Sequence, residues 1–244
     1  MNSAAVSGTK AAGRERPRGG ARLLVLASGR GSNFQALLDA GLASSICGLI
    51  CDQPGAPVLE RARAAGLPAL LLRRKKTESR NEYCARLAEA AAGLDPAGPP
   101  DFVFLLGWMR LLSNSFLSRF PGRVINLHPA LPGAFPGLEA IAREYEAFRA
   151  GTLAETGIMV HYVPDEGMDS GPVIAVEKVP ISAEDSPESF EARVHETEHR
   201  LVVRTALALV RGDLPPWDGS RQTAAGPAPE QQAATSSSVH ICHK

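Results

Sequence analysis

The chain has 244 residues, of which 44% are hydrophobic and 21% charged, with 26 Lys+Arg balanced by 26 Asp+Glu. That length and composition suit one large domain or two small ones, and a formal net charge of zero provides no basic footprint for nucleic acid. No apolar run approaches the ~20 residues needed to cross a bilayer, so neither a membrane nor a nucleic acid is expected as a partner.

Residues 1–20 are rich in Ala, Gly and Arg and carry Lys10, Arg14, Arg16 and Arg18 beside Glu15, with no secretory apolar stretch. They read as a disordered tail; organelle targeting by this segment stays open, and a cytoplasmic location is expected. Arg22–Ser28 reads as a buried strand and Ser32–Asp39 as a helix. Ser45–Cys51 is the next strand, Ala56–Ala65 the next helix, Leu67–Leu72 a third strand, and Glu78–Ala92 a helix. Asp101–Leu106 and Arg123–Leu127 complete five strands, with a short helical turn near Asn114–Ser118 between the last two. After a helix at Leu138–Arg149 the pattern changes. Glu155–Val163 and Val173–Val179 form a strand pair around a turn at Pro164–Pro172. One long helix follows, Pro187–Arg211, capped by Ser186 with Pro187 at its first position. Residues 218–244 are rich in Gln, Ala, Ser and Pro and read as a second disordered tail, leaving 21–217 as one domain.

Strand–helix alternation of this kind predicts an α/β fold: a doubly wound, mostly parallel sheet with helices on both faces, followed by the carboxyl-terminal strand pair and long helix. Cys47, Cys51, Cys84 and Cys242 form no CxxC pair and read as reduced thiols. His240, Cys242 and His243 lie close together in the second tail, but nothing around them would organise ligands, so no metal site is expected.

Ligands of such sheets sit outside the carboxyl ends of the strands, which directs attention to the segments after Ser28, Leu106 and Leu127. The first strand runs through Ser28-Gly29-Arg30-Gly31-Ser32-Asn33 straight into a helix. Glycines let the backbone approach an anion, and a helix start supplies free N–H groups to a phosphate. The rival is a nicotinamide dinucleotide site of an oxidoreductase, with Gly29-x-Gly31 as two glycines of the fingerprint and Asp52 as the ribose-binding acid. Phe34 stands where that fingerprint needs a small residue, and Ser32-Asn33 suits a single phosphate.

Along the fifth strand Asn126 and His128 share a face, because side chains alternate. An amide donor and a titratable imidazole thus stand together at the ligand end of the sheet. The glycine-rich turn that follows holds Asp165, Glu166 and Asp169, and a carboxylate beside the histidine would raise its pKa above the ordinary ~6.5. On the last helix Phe190, Val194, Leu201, Thr205 and Ala208 fall on one stripe that also contains Glu198. A carboxylate there is either an ion-pair partner or a contact for a ligand amine.

Taken together, ASGRGSNFQALLDA (27–40), ESRNEY (78–83), LLGWMRLLS (105–113), VINLHPALPGAFPG (124–137), GIMVHYVPDEGMDSGPVI (157–174) and ARVHETEH (192–199) resemble the phosphoribosylglycinamide formyltransferases over about Arg22 to Asp213. The resemblance implies a Rossmann-like formyltransferase fold and transfer of a formyl group from 10-formyltetrahydrofolate, a cosubstrate, to the amine of glycinamide ribonucleotide in purine synthesis. It implies Asn126, His128 and Asp169 as the catalytic trio, Gly31, Ser32 and Asn33 on the substrate phosphate, and Glu198 at the glycinamide end. Arg80, Met109, Arg110, Leu111, Leu112 and Asn126 would line the folate side with the 164–169 loop. A protonated His128, kept charged by Asp169, would assist Asn126 in holding the oxyanion.

The chain departs from the bacterial pattern at Ala130-Leu131-Pro132-Gly133, which resembles the fungal form. Glu139 falls where bacterial members often carry a histidine, and is given no role. Methionyl-tRNA formyltransferases and formyltetrahydrofolate hydrolases share the fold but carry an added domain, for which these tails leave no room. A monomer or homodimer is expected. Trp108 and Phe135 read as core residues before pocket walls.

Overall fold

The computed structural model describes residues 20–219. The tails and the His240, Cys242 and His243 cluster lie outside these described residues. Five strands run parallel: β1 (Leu23–Ala27), β2 (Ile46–Cys51), β3 (Ala69–Leu71), β4 (Phe102–Leu105) and β5 (Val124–His128). Two more, β6 (Thr156–Tyr162) and β7 (Val173–Val179), add antiparallel to β5, giving the sheet order β3-β2-β1-β4-β5-β6-β7. The chain moves outward from β1 to β3, then returns to β1's other edge with β4. The crevice this leaves at the carboxyl ends of β1 and β4 is where an open sheet binds ligands.

Helices cover both faces: α1 (Ser32–Asp39), α2 (Pro57–Ala64), α3 (Arg80–Gly93), the short α4 (Asn114–Leu117), α5 (Ala140–Arg149) and α6 (Pro187–Arg211). Every residue of β1 is buried, and alternate ones serve separate cores. Leu23, Val25 and Ala27 join the apolar faces of α1, α2 and α6, while Leu24 and Leu26 meet Tyr83, Leu87 and Phe116 on the α3 and α4 side. Cys47, Cys51 and Cys84 are buried free thiols, as expected of the core.

The elements follow the sequence expectations closely, and the exceptions have local causes. The third strand is only Ala69–Leu71, because Pro68 has no N–H and contributes only its carbonyl, to Leu49 N. β5 runs one residue further than expected, to His128, which pairs with Met159 of β6. The helix expected from Leu138 starts at Ala140, since Gly137 and Glu139 both take left-handed backbone conformations. α6 has the expected bounds. Its start is fixed by Ser186 and Ser189, whose hydroxyls each accept the other's backbone N–H, a capping arrangement worth about 1 kcal/mol. Phe190, Val194 and Leu201 of its stripe are fully buried and Ala208 half-buried.

One buried acid is not part of that pattern. Glu144 on α5 is 1% exposed and receives the Gly157 backbone N–H, but its Oε2 has no hydrogen-bond partner. Burial pushes its carboxyl up to about 8, against the nearby Arg143 charge. The folded state therefore holds this proton where the unfolded chain, titrating near 4.5, has already lost it. Stability must fall as pH rises from that lower value to about 8 and then level off. Glu144→Gln keeps an acceptor for Gly157 and removes the titration. Its stability should match the parent near pH 5 and exceed it increasingly toward pH 8, by a margin on the order of a few kcal/mol at most. A gain independent of pH, measured by thermal denaturation across that range, would contradict this reading.

Candidate active site

Three loops meet at the carboxyl ends of β1, β4 and β5. The first joins β1 to α1. Gly31 is the N-cap of α1 at φ 74° and no side chain caps the helix, so its first N–H groups are unspent donors. A Cβ on Gly31 would lie 2.4 Å from Val58 Cγ2, whereas one on Gly29 would meet nothing. The second glycine is thus demanded by both backbone conformation and the close approach of α2.

Asn33 Nδ2 donates to Glu198 Oε2 at 3.2 Å, which ties the first loop to α6. Glu198, 5% exposed, also meets His195 Nδ1 at 2.8 Å. That hydrogen bond raises the pKa of His195 above its ordinary value, with burial opposing. The buried carboxylate is paired, and it lies against the phosphate-type loop; both readings of Glu198 converge on one place. His195, one helical turn before Glu198, carried no signal of its own in the sequence.

The second loop follows β4 and is sewn to the first: Ser28 N donates to Gly107 O, and Met109 N to Ser28 Oγ at 3.1 Å. Arg110 pairs with the buried Asp52 at 2.5 Å and lies over the Tyr83 ring. Gln53 shares the same Asp52 oxygen, and Phe34 is fully buried behind the first loop, where the dinucleotide fingerprint needs a small residue. Both facts count against the dinucleotide alternative. Of the segment expected on the folate side, Leu112 is 4% exposed and packs beside Phe116, whereas Met109 and Leu111 are 58% and 42% exposed.

The central constellation is built on β5 and β6. Asn126 and His161 are cross-strand partners, so their side chains emerge on the same face. His161 Nδ1 donates to the Tyr162 carbonyl at 2.8 Å, which leaves Nε2 to accept from Asn126 Nδ2 at 3.2 Å. Asn126 Nδ2 donates its other hydrogen to Asp169 Oδ1 at 2.9 Å. Asp169 Oδ2 accepts the Gly137 N–H at 2.8 Å and stands 3.4 Å from His128 Nδ1. His128 Nε2 donates to the Phe135 carbonyl at 3.1 Å, since a carbonyl can only accept. Asp165, the alternative partner, instead accepts the Gly167 N–H on the exposed turn. The sequence missed His161, whose one mark was an imidazole in the middle of an otherwise apolar strand.

The electrostatics correct one expectation. Burial lowers the pKa of His128 below its ordinary value and outweighs the Asp169 charge, which acts in the opposite sense. His161, close by, adds to the lowering. Burial therefore favours the neutral imidazole over the charged one. Asp169 stays ionised: burial raises its pKa, but the neighbouring His161 imidazole, 3.6 Å away, the Gly137 N–H and the His128 imidazole together bring it below the usual range.

Arg80 and the 164–169 loop do come together, through an ion pair between Arg80 and Glu166, whose other oxygen accepts the Asn114 N–H. Met109, Leu111, Leu138 and Met168 are exposed apolar side chains on the loops after β4, β5 and β6.

The first loop yields a test of its own. Gly31→Ala should lower the melting temperature by several degrees, because it forces a strained φ and a clash with Val58, at a cost of about 1 kcal/mol or more. Gly29→Ala should leave it within error. Equal melting temperatures for the two variants would contradict the role of Val58 and α2 in shaping this loop.

Comparison with known proteins agrees with this geometry. The family model described as "Formyl transferase" matches residues 21–206. A phosphoribosylglycinamide formyltransferase of Schizosaccharomyces pombe is 40% identical over 206 residues, covering 78% of this chain and 97% of that protein. One of Bacillus subtilis is 38% identical over 183 residues, covering 73% of this chain and 89% of that protein. The crystal structure of glycinamide ribonucleotide transformylase 1 from Geobacillus kaustophilus superposes with a TM-score of 0.67 at 42% identity, covering 77% of this chain and 99% of that one. With a matching family model over most of its length and relatives of about 40% identity covered almost end to end, this chain belongs to the formyl transferase family.

Proposed function

We infer that this chain transfers the formyl group of 10-formyltetrahydrofolate to the amine of glycinamide ribonucleotide, a step of de novo purine biosynthesis. The observation that carries the reading is the joining of Asn126, His128 and Asp169 at the carboxyl end of β5, in a member of this family. The proposed binding roles divide between the two sides of that centre. Gly31, Ser32 and the backbone of Asn33 take the substrate phosphate at the α1 start, and Glu198 takes the substrate beside it. Met109, Leu111 and Arg80 face the folate, with Arg110 held in place by Asp52. The folded unit is proposed as 21–217, with a cytoplasmic location, and no nucleic acid among its partners.

Transfer begins with attack of the substrate amine on the formyl carbon, forming a C–N bond and an oxyanion. Asn126 Nδ2 is the donor for that oxygen. Both of its hydrogens are engaged in the free protein, and the 3.2 Å contact with His161 is the longer, so it is the one exchanged. One preorganised donor of this type contributes about 3 kcal/mol. The amine must then lose a proton and the folate nitrogen must gain one as the C–N bond to the folate breaks. A neutral His128 is the right species to take the first proton, on Nδ1, and to return it to the leaving nitrogen. The adjacent Asp169 carboxylate stabilises the imidazolium formed between those steps, directly or by way of a water. Mixing the protein with both substrates and following folate absorbance tests the reading; absence of turnover by folded protein would refute it.

His128→Ala should leave folate binding near normal while kcat falls by roughly a hundredfold or more. Near-normal kcat, measured in the same absorbance assay, would make the histidine structural.

Asp169→Asn has a signed effect. If His128 must be neutral to take the proton, kcat/KM falls as pH drops through its pKa, which lies below 6.5. Removing the Asp169 charge lowers that pKa further, so the acid limb should move to still lower pH. Turnover at neutral pH should nevertheless drop, because the imidazolium formed during transfer loses its partner. A limb that stays in place in the pH–rate profile would exclude Asp169 as the electrostatic partner.

A further inference from the structure

Among the described residues, three non-glycine positions have positive φ: Phe135 at 43°, Glu139 at 57° and Asp169 at 49°. All three lie on the two loops that enclose His128. Strain of this kind persists only where the surroundings over-determine the backbone, and it concentrates at functional sites. Asp169 is held by Asn126 and the Gly137 N–H. Phe135 is held by Arg143.

Arg143 lies in the second turn of α5. Its Nη2 donates to the carbonyls of Phe135 and Pro136, both at 2.8 Å, and its guanidinium stands 5.7 Å from the centre of the Phe135 ring. The buried Nε of the same guanidinium has no hydrogen-bond partner, so the group is not placed for its own satisfaction. The Phe135 carbonyl is also the acceptor of His128 Nε2. A carbonyl has two lone pairs, and here one serves the arginine and the other the imidazole.

The imidazole thus stands between backbone carbonyls on one side, Phe135 at Nε2 with Ala134 also near the ring, and Asp169 Oδ2 at Nδ1 on the other. A neutral ring has one proton and can satisfy only one side. With the proton on Nε2, Nδ1 is a base. With the proton on Nδ1, the ring donates to Asp169 and its basic nitrogen is turned toward Phe135, away from the reacting groups. We propose that Arg143 is a positioning residue for formyl transfer: by clamping the strained Phe135–Pro136 turn, it fixes the carbonyl that keeps the resting proton of His128 on Nε2. The role rests on the reading of His128 as the proton carrier. Lysine is a poor substitute, because a single ammonium on a flexible stem lacks the planar fork and its ring-stacking surface.

The test uses the full chain with Arg143→Met and Arg143→Lys. Histidine nitrogen NMR without substrate reads the His128 tautomer at neutral pH, and steady-state kinetics read kcat and both KM values. In the parent, His128 should show the Nε2–H pattern. In Arg143→Met the pattern should shift toward a tautomer mixture, with kcat down at least about tenfold and each KM within about threefold. Arg143→Lys should fall between the two, and it gives the same reading if the methionine variant does not fold. A parent-like tautomer in the variants would overturn the proposal, as would a shifted tautomer with unchanged kcat. A parent that forms no formylated product would instead sink the functional reading, whatever the tautomer shows.

Discussion

The carboxylate of Asp169 is the interaction on which the site depends. It takes a hydrogen from Asn126 on β5 and one from the Gly137 backbone, and stands within 4 Å of the imidazoles of His128 and His161. Those groups come from β5, the loop after it, and β6. The β6–β7 loop is tied outward through Glu166 to Arg80 and Asn114, and Asp169 ties it to β5 with a left-handed backbone. The energy that holds this strained residue comes from charge-assisted hydrogen bonds in a half-buried setting, where they are stronger than at the surface.

Burial gives the same centre its chemical character. A histidine beside a carboxylate in water would titrate above its ordinary value, but His128 is 4% exposed, and removing the imidazolium from water outweighs Asp169. On the proposed mechanism the resting base is neutral while its partner stays charged. The carboxylate therefore acts when the proton arrives, not before, which is the timing that favours a transition state over a ground state. The α1 start is likewise left open: Gly31 caps the helix with no side chain, so its first N–H groups have no side-chain acceptor.

Much of this was legible in the residues. β1 and β2 are continuous apolar runs, α6 begins at Ser186-Pro187, and Asn126 and His128 alternate onto one face of β5, so the sheet, the last helix and the core of the site follow from periodicity and capping. What was not legible depends on the third dimension. His161 joins Asn126 only through the antiparallel register of β5 and β6, which sequence spacing does not specify. The segment from Met109 to Leu112 looked uniform, yet Leu112 turns into the core while Met109 and Leu111 face out. The sign of the His128 shift was missed for a related reason. A neighbouring carboxylate can be guessed from a motif, but the degree of burial that opposes it cannot.

The central claim is that burial keeps His128 neutral while Asp169 waits beside it as an ion. Titration of the His128 ring by NMR in the unliganded protein tests this most directly. The account predicts a midpoint below 6.5, with the single proton of the neutral ring on Nε2. A midpoint above 6.5 would contradict it, because Asp169 would then outweigh burial and the resting group would be an acid instead of a base.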